Sequence, residues 1–487
     1  MINTGIVCHV IGVLLMILGG FMLTSVGFSA YDDVADSLSI CYAALSTLSI
    51  GVVTWWSSKK ASKKIGKREG YLIVALGWVS MAIFSSLPYL FTGTIPDISG
   101  AIFESVSGLT TTGATVIHDI ESLPKGIIFW RSLTQWIGGM GIIVLTIALF
   151  PLLGIAGVEL FVAEAPGPIS DKIHPRIKET AKRLWLIYVG LTSLATLVLY
   201  INGMTFFDAI NHGLTTMATG GFSTKNASIA YYDSAGIQYT IIFFMFLAGT
   251  NYTIIYYSLK GHFKKVWKSD EFKVYTALVI GLILLVTIGV YQVSDLSVER
   301  SFRDAAFQVI SIITTTGYIS ADYTSWAPAL TMLFFILLFC GACAGSTSGG
   351  IKIIRHLVFL KNSILEFKRL LHPRAMIRIK IDQQLVAARI LTHILVFLLI
   401  YLIIFIVSSL ILSVVFANFE QPILTAIGAS ATALGNVGPA IGQLGPLDNF
   451  ASVPIFGKWF ISFLMLLGRL ELFTVLILFT PYFWRIS

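Results

Sequence analysis

The sequence predicts an all-α integral membrane protein of ten spans: two extra transmembrane helices, then four tandem repeats of span, short helix and span. Three observations predict it. Only 12% of the 487 residues are charged while 56% are hydrophobic, where a soluble domain carries about 25% charged residues. Apolar segments of membrane length recur at roughly 5–27, 38–57, 71–93, 127–154, 184–203, 236–258, 274–293, 327–370 (interrupted), 392–417 and 456–483. Such segments cross lipid as helices, because a helix satisfies its own backbone polar groups. The third observation is charge placement. Of 33 Lys and Arg, six lie in Lys59–Arg68, five in Lys172–Arg183, five in Lys260–Lys273 and nine in Lys352–Arg389. Clustering between alternate spans is the positive-inside pattern, and with ten spans it puts both termini in the cytoplasm. The net charge of +8 therefore reflects topology, not a nucleic-acid partner.

Residues 1–70 hold the two extra spans. Ile6–Phe28 lacks a basic stretch before it and reads as a transmembrane helix, although "FSA" at Phe28–Ala30 weakly resembles a cleavage site. Trp55, Trp56, Trp130 and Trp484 fall near span ends, where an interfacial aromatic belt would put them. Cys340 and Cys343 form a lone CxxC without the two further ligands of a zinc site, and like Cys8 and Cys41 they read as small core residues.

The four repeats occupy 71–155, 156–260, 261–375 and 376–487. Each carries a short half-apolar segment: "DISGAIFESVSGLT" (97–110), "TFFDAINHGLTTM" (205–217), "SFRDAAFQVISIIT" (301–314) and "EQPILTAIGASAT" (420–432). At 10–14 residues these are too short to cross and suit re-entrant helices entering opposite the basic loops. A glycine-centred stretch follows each: "TTGAT" (Thr111–Thr115), "ATGGF" (Ala218–Phe222), "TTGYI" (Thr315–Ile319) and "ALGNV" (Ala433–Val437), centred on Gly113, Gly220, Gly317 and Gly435.

Irregular backbone at membrane depth is tolerated only when buried in protein or lining a water-filled path. Four such stretches around one central pore would turn carbonyl oxygens inward and replace the hydration shell of an ion such as potassium. Glycine permits the positive φ this needs, and the C-terminal ends of the four short helices favour a cation below. The candidate filter residues are Thr111, Thr112, Gly113 and Ala114; Ala218, Thr219, Gly220 and Gly221; Thr315, Thr316, Gly317 and Tyr318; and Ala433, Leu434, Gly435 and Asn436. Hydroxyls of Thr111, Thr112, Thr315 and Thr316 would add oxygens at the inner end. Taken singly, one such stretch reads better as a close helix contact; four in register reverse this and favour the pore. No carboxylate lies in any of the four, which excludes a filter built on a ring of acidic side chains.

"SGLTTTGAT", "TTMATGGFST", "ITTTGY" and "GNVGP", with "GACAGSTSGGIK" and "MLLGRLELFTVL" (Met465–Leu476), resemble the Trk/Ktr/HKT superfamily of potassium transporters over residues 71–487. The two extra N-terminal spans match its TrkH branch better than the Ktr membrane subunit. The resemblance implies potassium uptake across a bacterial inner membrane, a homodimer with one pore per subunit and a cytosolic nucleotide-binding ring of the TrkA type docked beneath. It also implies potassium over sodium, since sodium-permeable relatives carry serine in place of the first filter glycine.

"GSTSGGIK" (Gly345–Lys352) nearly fits a phosphate-binding loop, but Ile351 separates Gly350 from Lys352 and no strand precedes it. Small and hydroxyl residues instead unwind the second span of repeat three. The candidate gate comprises Gly345, Ser346, Thr347, Ser348, Gly349, Gly350, Lys352 and Arg469, and the superfamily's intramembrane gating loop lies at the same position. A kink that eases packing is the plainer reading. Arg469 lies midway along an apolar span, where a cation faces the bundle interior; its expected partners are carbonyls or hydroxyls of that loop, the rival being a pair with Glu471. Glu104, Asp208 and Asp304 fit mouth electrostatics or helix capping, and His212 a packed helix residue.

No nucleophile–base constellation occurs, so no enzyme is expected, and no cofactor beyond potassium as substrate. A secondary transporter coupled to sodium or protons by alternating access is the rival function, since transporters also use repeats and broken helices. The basic segment Lys361–Arg389 is either the partner's dock or a plain cytoplasmic loop.

Overall fold

The computed structural model describes residues 2–29, 34–61, 65–141, 177–375 and 378–485. The second half of the expected span 127–154, the boundary between repeats one and two, and Lys172–Arg176 of the second basic cluster lie outside them. Helices α1 (Thr4–Ser29) and α2 (Val34–Ser57) form an antiparallel pair. Small residues set its closeness: a Cβ on Gly12 would sit 2.8 Å from the Gly51 carbonyl oxygen, and one on Gly51 would sit 3.0 Å from that of Gly12.

Repeat one follows as α3 (Lys67–Ser85), α4 (Ile98–Leu109) and α5 (Lys125–Trp136), and repeat two as α6 (Ile177–Ile201), α7 (Phe206–Ala218), α8 (Ala235–Ala248) and α9 (Tyr252–Leu259). Repeat three is α10 (Asp270–Val293), α11 (Val298–Ile313), α12 (Pro328–Leu337) and α13 (Ile353–Leu371). A two-stranded hairpin, β1 (Lys380–Ile381) and β2 (Gln384–Leu385), leads to α14 (Ala388–Val415), α15 (Pro422–Gly435), α16 (Ile455–Arg469) and α17 (Phe473–Leu476). The short helices α4, α7, α11 and α15 match the four re-entrant segments. Their starts follow from local chemistry: the side chains of Asp97, Thr205 and Ser297 accept backbone N–H groups at the first three, and Pro422 opens the fourth.

Among the described residues six helices are long and apolar enough to cross a membrane, and two bent pairs raise this to eight. The pairs are α8–α9, turned by 106°, and α16 with the turn Phe473–Phe479, turned by 109°. The tenfold count expected from hydropathy is therefore not a set of straight spans. In repeat one α5 runs into a π-helical turn, Ile137–Gly141, where Gly139 has non-helical ψ of −109°. In repeat three residues 338–352 lie outside helix altogether, so the interruption is a loop, not a kink. The second helix of every repeat thus breaks, where sequence reading located only the third.

These helices pack between repeats: α5 on α7, α8 on α11, and α16 on α4. Trp130 departs from the expected aromatic belt. It is wholly buried on α5, with its indole N–H donating to the Ser85 carbonyl at 3.0 Å, because this face of α5 points into the bundle.

Candidate functional site

All four short helices end in the same way. The amides of Thr112, Gly220, Thr316 and Val437 donate back to the carbonyls of Ser107, Thr215, Ser311 and Thr432 at 2.9, 2.9, 2.8 and 3.1 Å. This six-residue closure needs its penultimate residue left-handed. Thr111, Thr219, Thr315 and Asn436 fill that position with φ of 56°, 54°, 55° and 52°. A β-branched residue there is strained by roughly 1–2 kcal/mol. What threonine brings is a hydroxyl at the inner end of the stretch. Thr315 Oγ1 accepts from the Gly349 amide at 2.7 Å, and Thr111 Oγ1 is buried without a hydrogen-bond partner among the described residues.

Two residues further on, glycine is obligatory. Gly113, Gly221, Gly317 and Gly438 have φ of 83°, 79°, 75° and 105°, and each leaves room for its neighbour. A Cβ on Gly113 would fall 2.2 Å from the Gly220 carbonyl oxygen, and one on Gly221 would fall 2.1 Å from that of Thr316. A Cβ on Gly317 would fall 2.0 Å from the Val437 oxygen, and one on Gly438 would fall 2.6 Å from that of Thr112. The four stretches therefore close into a ring, one to two to three to four and back to one.

This ring corrects the sequence register. The equivalent glycines in repeats two and four are Gly221 and Gly438, not Gly220 and Gly435. Ala433, Leu434 and Gly435 end α15, as Ala218 ends α7. The helix of repeat four ends on Gly435 itself, three residues before Gly438. Thr111–Ala114, Thr219–Gly221, Thr315–Tyr318 and Asn436 do come together, joined by Val437 and Gly438. Tyr318 faces backwards: its carbonyl accepts from Ser311 Oγ at 2.7 Å, and its hydroxyl bonds to Thr215 and Thr216 of repeat two.

Behind the ring, in repeats one to three, the residue seven places before the left-handed turn braces the outgoing limb. His212 Nε2 lies 3.0 Å from Ser223 Oγ, and Gln308 Nε2 lies 3.4 Å from Ser320 Oγ. Glu104, which sequence reading assigned to the mouth or to a cap, does the same from the interior. It takes Thr115 Oγ1 at 2.9 Å, the Val116 amide at 3.0 Å and Arg131 Nε at 2.9 Å, with both charged side chains at most 1% exposed. Arg131 also lies over the Phe222 ring, 4.2 Å from its centroid, and so links repeats one and two. Asp208 lies in the first turn of α7, which Thr205 caps, and its carboxylate accepts from the Thr205 and Thr224 hydroxyls, while Asp304 pairs with Arg300 at 3.1 Å.

Below the ring lies the loop 338–352. Its ends are pinned by paired bonds, Gly341 N–H to Ile351 O at 2.8 Å and Ile353 N–H to Ala342 O at 3.1 Å. Further ties run from Cys343 N–H to Gly249 O at 3.1 Å, from Ala344 N–H to Glu271 Oε1 at 2.6 Å and from Tyr252 N–H to Gly345 O at 3.1 Å. The tip touches repeats two, three and four directly. Thr347 Oγ1 donates to Met217 O and Ala248 O of repeat two at 3.1 and 3.3 Å, and Gly349 N–H meets Thr315 of repeat three. A Cβ on Gly349 would lie 2.8 Å from Asn436 Cβ of repeat four. Ser346 Oγ and Ser348 Oγ bond to each other at 2.9 Å, Lys352 folds back onto Ser348, and Gly345 and Gly350 take φ of 72° and 63°.

Arg469 ends α16 against this tip. Its guanidinium donates to Thr347 O at 2.8 Å, and to Gly138 O and Gly139 O of repeat one at 2.6 and 2.9 Å. The rival partner, Glu471, pairs instead with Arg355 of repeat three.

A helical, multi-pass membrane protein in which four short helices end in one ring of irregular backbone has the build of a membrane transport protein. The comparisons narrow the class. A family model described as TrkH, cation transport protein, matches residues 37–486. The chain is 40% identical to the Trk system potassium uptake protein TrkH of Salmonella typhimurium, covering 98% of this chain and 99% of that one. It is 33% identical to TrkG of Escherichia coli K12, over 90% of this chain and 89% of that one. The crystal structure of the potassium transporter TrkH from Vibrio parahaemolyticus superimposes with a TM-score of 0.89 at 35% identity, covering 99% of this chain and 100% of that one. The chain belongs to the TrkH family of cation transport proteins.

Proposed function

We propose that this protein takes up potassium through the ring of backbone carbonyls, and that the loop 338–352 with Arg469 gates it from below. The observation that carries the reading is the closed cyclic order of Gly113, Gly221, Gly317 and Gly438, each making room for the carbonyl of the next repeat. Four carbonyl-bearing turns about one axis replace a hydration shell in the way a potassium filter requires. The gate reading is supported by the tip's contacts with all four repeats, three direct and one through Arg469.

In this reading the chain crosses the bacterial inner membrane ten times with both termini cytoplasmic, and works as a homodimer with one pore per subunit. A TrkA-type nucleotide-binding ring sits beneath, against the basic segment Lys361–Arg389, whose hairpin is tied to α10: Lys361 Nζ lies 2.9 Å from Asp270 Oδ2, and Asp270 N–H donates to Asp382 Oδ1 at 2.6 Å.

The test is the reversal potential of purified protein in liposomes. It follows the potassium gradient if the reading is right, and Gly317→Ser, which forces a side chain into the ring, abolishes discrimination against sodium. A flux that vanishes without a second coupled ion overturns the pore and returns the alternating-access reading.

A further inference from the structure

The ring is not equivalent at its four corners. Thr112, Gly220, Thr316 and Val437 occupy one position, between the left-handed residue and the obligatory glycine. Only repeat two has glycine there, and backbone conformation does not explain it, for Gly220 is absent from the positive-φ residues. Gln135 does explain it. A Cβ on Gly220 would fall 2.3 Å from Gln135 Cδ, so this side chain from repeat one fills the space that threonine or valine fills elsewhere.

Gln135 is wholly buried on α5. Its Oε1 accepts from the Phe222 amide at 3.1 Å and its Nε2 donates to the Gly220 carbonyl. A backbone N–H only donates, so Phe222 fixes which end of the amide faces it and leaves the NH₂ aimed at Gly220. Among the described residues no side-chain donor reaches the carbonyls of Thr112, Thr316 or Val437. The helices explain why. Gly138 and Gly468 correspond, each lacking a Cβ that would strike the carbonyl two residues before the left-handed turn, Leu109 and Leu434. Gln135 then corresponds to Met465, which is apolar.

The geometry points to Gln135 as a positioning residue that sets the strength of ion binding in the filter. This rests on the filter reading above. A carbonyl has two lone pairs, and one at Gly220 is already engaged, so that corner offers the ion a weaker field than the other three. An ion in this layer is held less tightly and leaves more readily, which conduction requires.

The experiment compares wild type, Gln135→Met and Gln135→Leu in liposomes, reading the KM for potassium, the maximal rate, and the relative rates for potassium, rubidium and sodium. Both substitutions remove the donor; methionine keeps the length, leucine does not. The expected result is a KM lowered roughly fivefold in both, the worth of one neutral hydrogen bond, with a lower maximal rate and a changed rubidium-to-potassium ratio. Wild-type values in Gln135→Met, whether or not Gln135→Leu is altered, would reduce Gln135 to a packing residue and overturn the inference. If Gln135→Met does not yield a folded protein by melting in detergent, Gln135→Asn, one methylene too short to reach Gly220, is read against the same two outcomes. Gly317→Ser is measured in parallel. Should it retain discrimination against sodium, the filter reading itself fails; should it lose discrimination while the Gln135 variants stay silent, only the present inference falls.

Discussion

Replacing Arg469 by alanine should open the pathway. Among the described residues the guanidinium donates to Thr347 O of the loop and to Gly138 O and Gly139 O of repeat one. Only the first is lost when the loop swings away from an arginine that stays in place. A hydrogen bond with one charged partner contributes about 1.5–3 kcal/mol, so its removal shifts the closed-to-open ratio roughly 10- to 150-fold toward open. The same residue places a cation beside the path, which acts in the same direction. Arg469→Gln separates the two, since it keeps donors without the charge. Arg469→Lys, a point donor that cannot span three carbonyls, should fall between wild type and alanine. The assay is initial potassium flux into liposomes at matched protein density, without any regulatory partner. A rise in Arg469→Ala with little change in Arg469→Gln identifies the tether, and equal rises identify the charge. Folded Arg469→Ala protein with unchanged or reduced flux would refute the argument.

Three other outcomes are expected. Glu104→Ala or Arg131→Met, measured by thermal unfolding in detergent, should each destabilise by about 3–5 kcal/mol, because the partner is left as an uncompensated buried charge; the double variant should recover part of that loss. Glu271→Ala removes the acceptor of the Ala344 amide and should raise basal flux roughly fivefold, the scale of one hydrogen bond, read in the same liposome assay. Asp97 caps α4: burial raises its pKa, but the Ser99 hydroxyl, the Gly100 amide and Lys458 outweigh this and leave it below the usual carboxylate value. Its stabilisation is therefore present above the unfolded value near pH 4 and is lost as pH falls through the lowered one. Asp97→Ala should melt earlier than wild type at neutral pH, by about 1 kcal/mol for a lost cap, with the gap closing below pH 4.

Much of this architecture was legible because hydropathy and turn chemistry are local. The four short helices lie within three residues of their expected bounds, as their caps and the glycines after them are written in the chain. Arg469 and the loop were legible because a charge and a run of small residues are both costly in lipid. The breaks after α8 and α16 were not, since "GTN" and "LEL" scarcely alter mean hydropathy while turning the chain by more than 100°. The register of repeat four was missed because Gly435 is helical and an asparagine takes the left-handed position that threonine holds elsewhere. Nor does any local signal join Glu104 to Arg131, or Gln135 to Gly220. Those partners meet only when helices from different parts of the chain pack.

The last corner of the ring to be synthesised, Gly438, lies against Thr112, the first. Local pairing cannot complete this circle, and the closure spans about two thirds of the chain, a contact that forms late. A growing polypeptide that has inserted three repeats presents an open arc with no finished passage. Loss of the C-terminal repeat, whether by stalled translation or by proteolysis, removes Asn436, Gly438 and Arg469 together. Under the proposed function, a cell that depends on its ion gradients would in this way be spared a leak through half-made copies, because the segment that completes the ring also carries Arg469, the proposed latch.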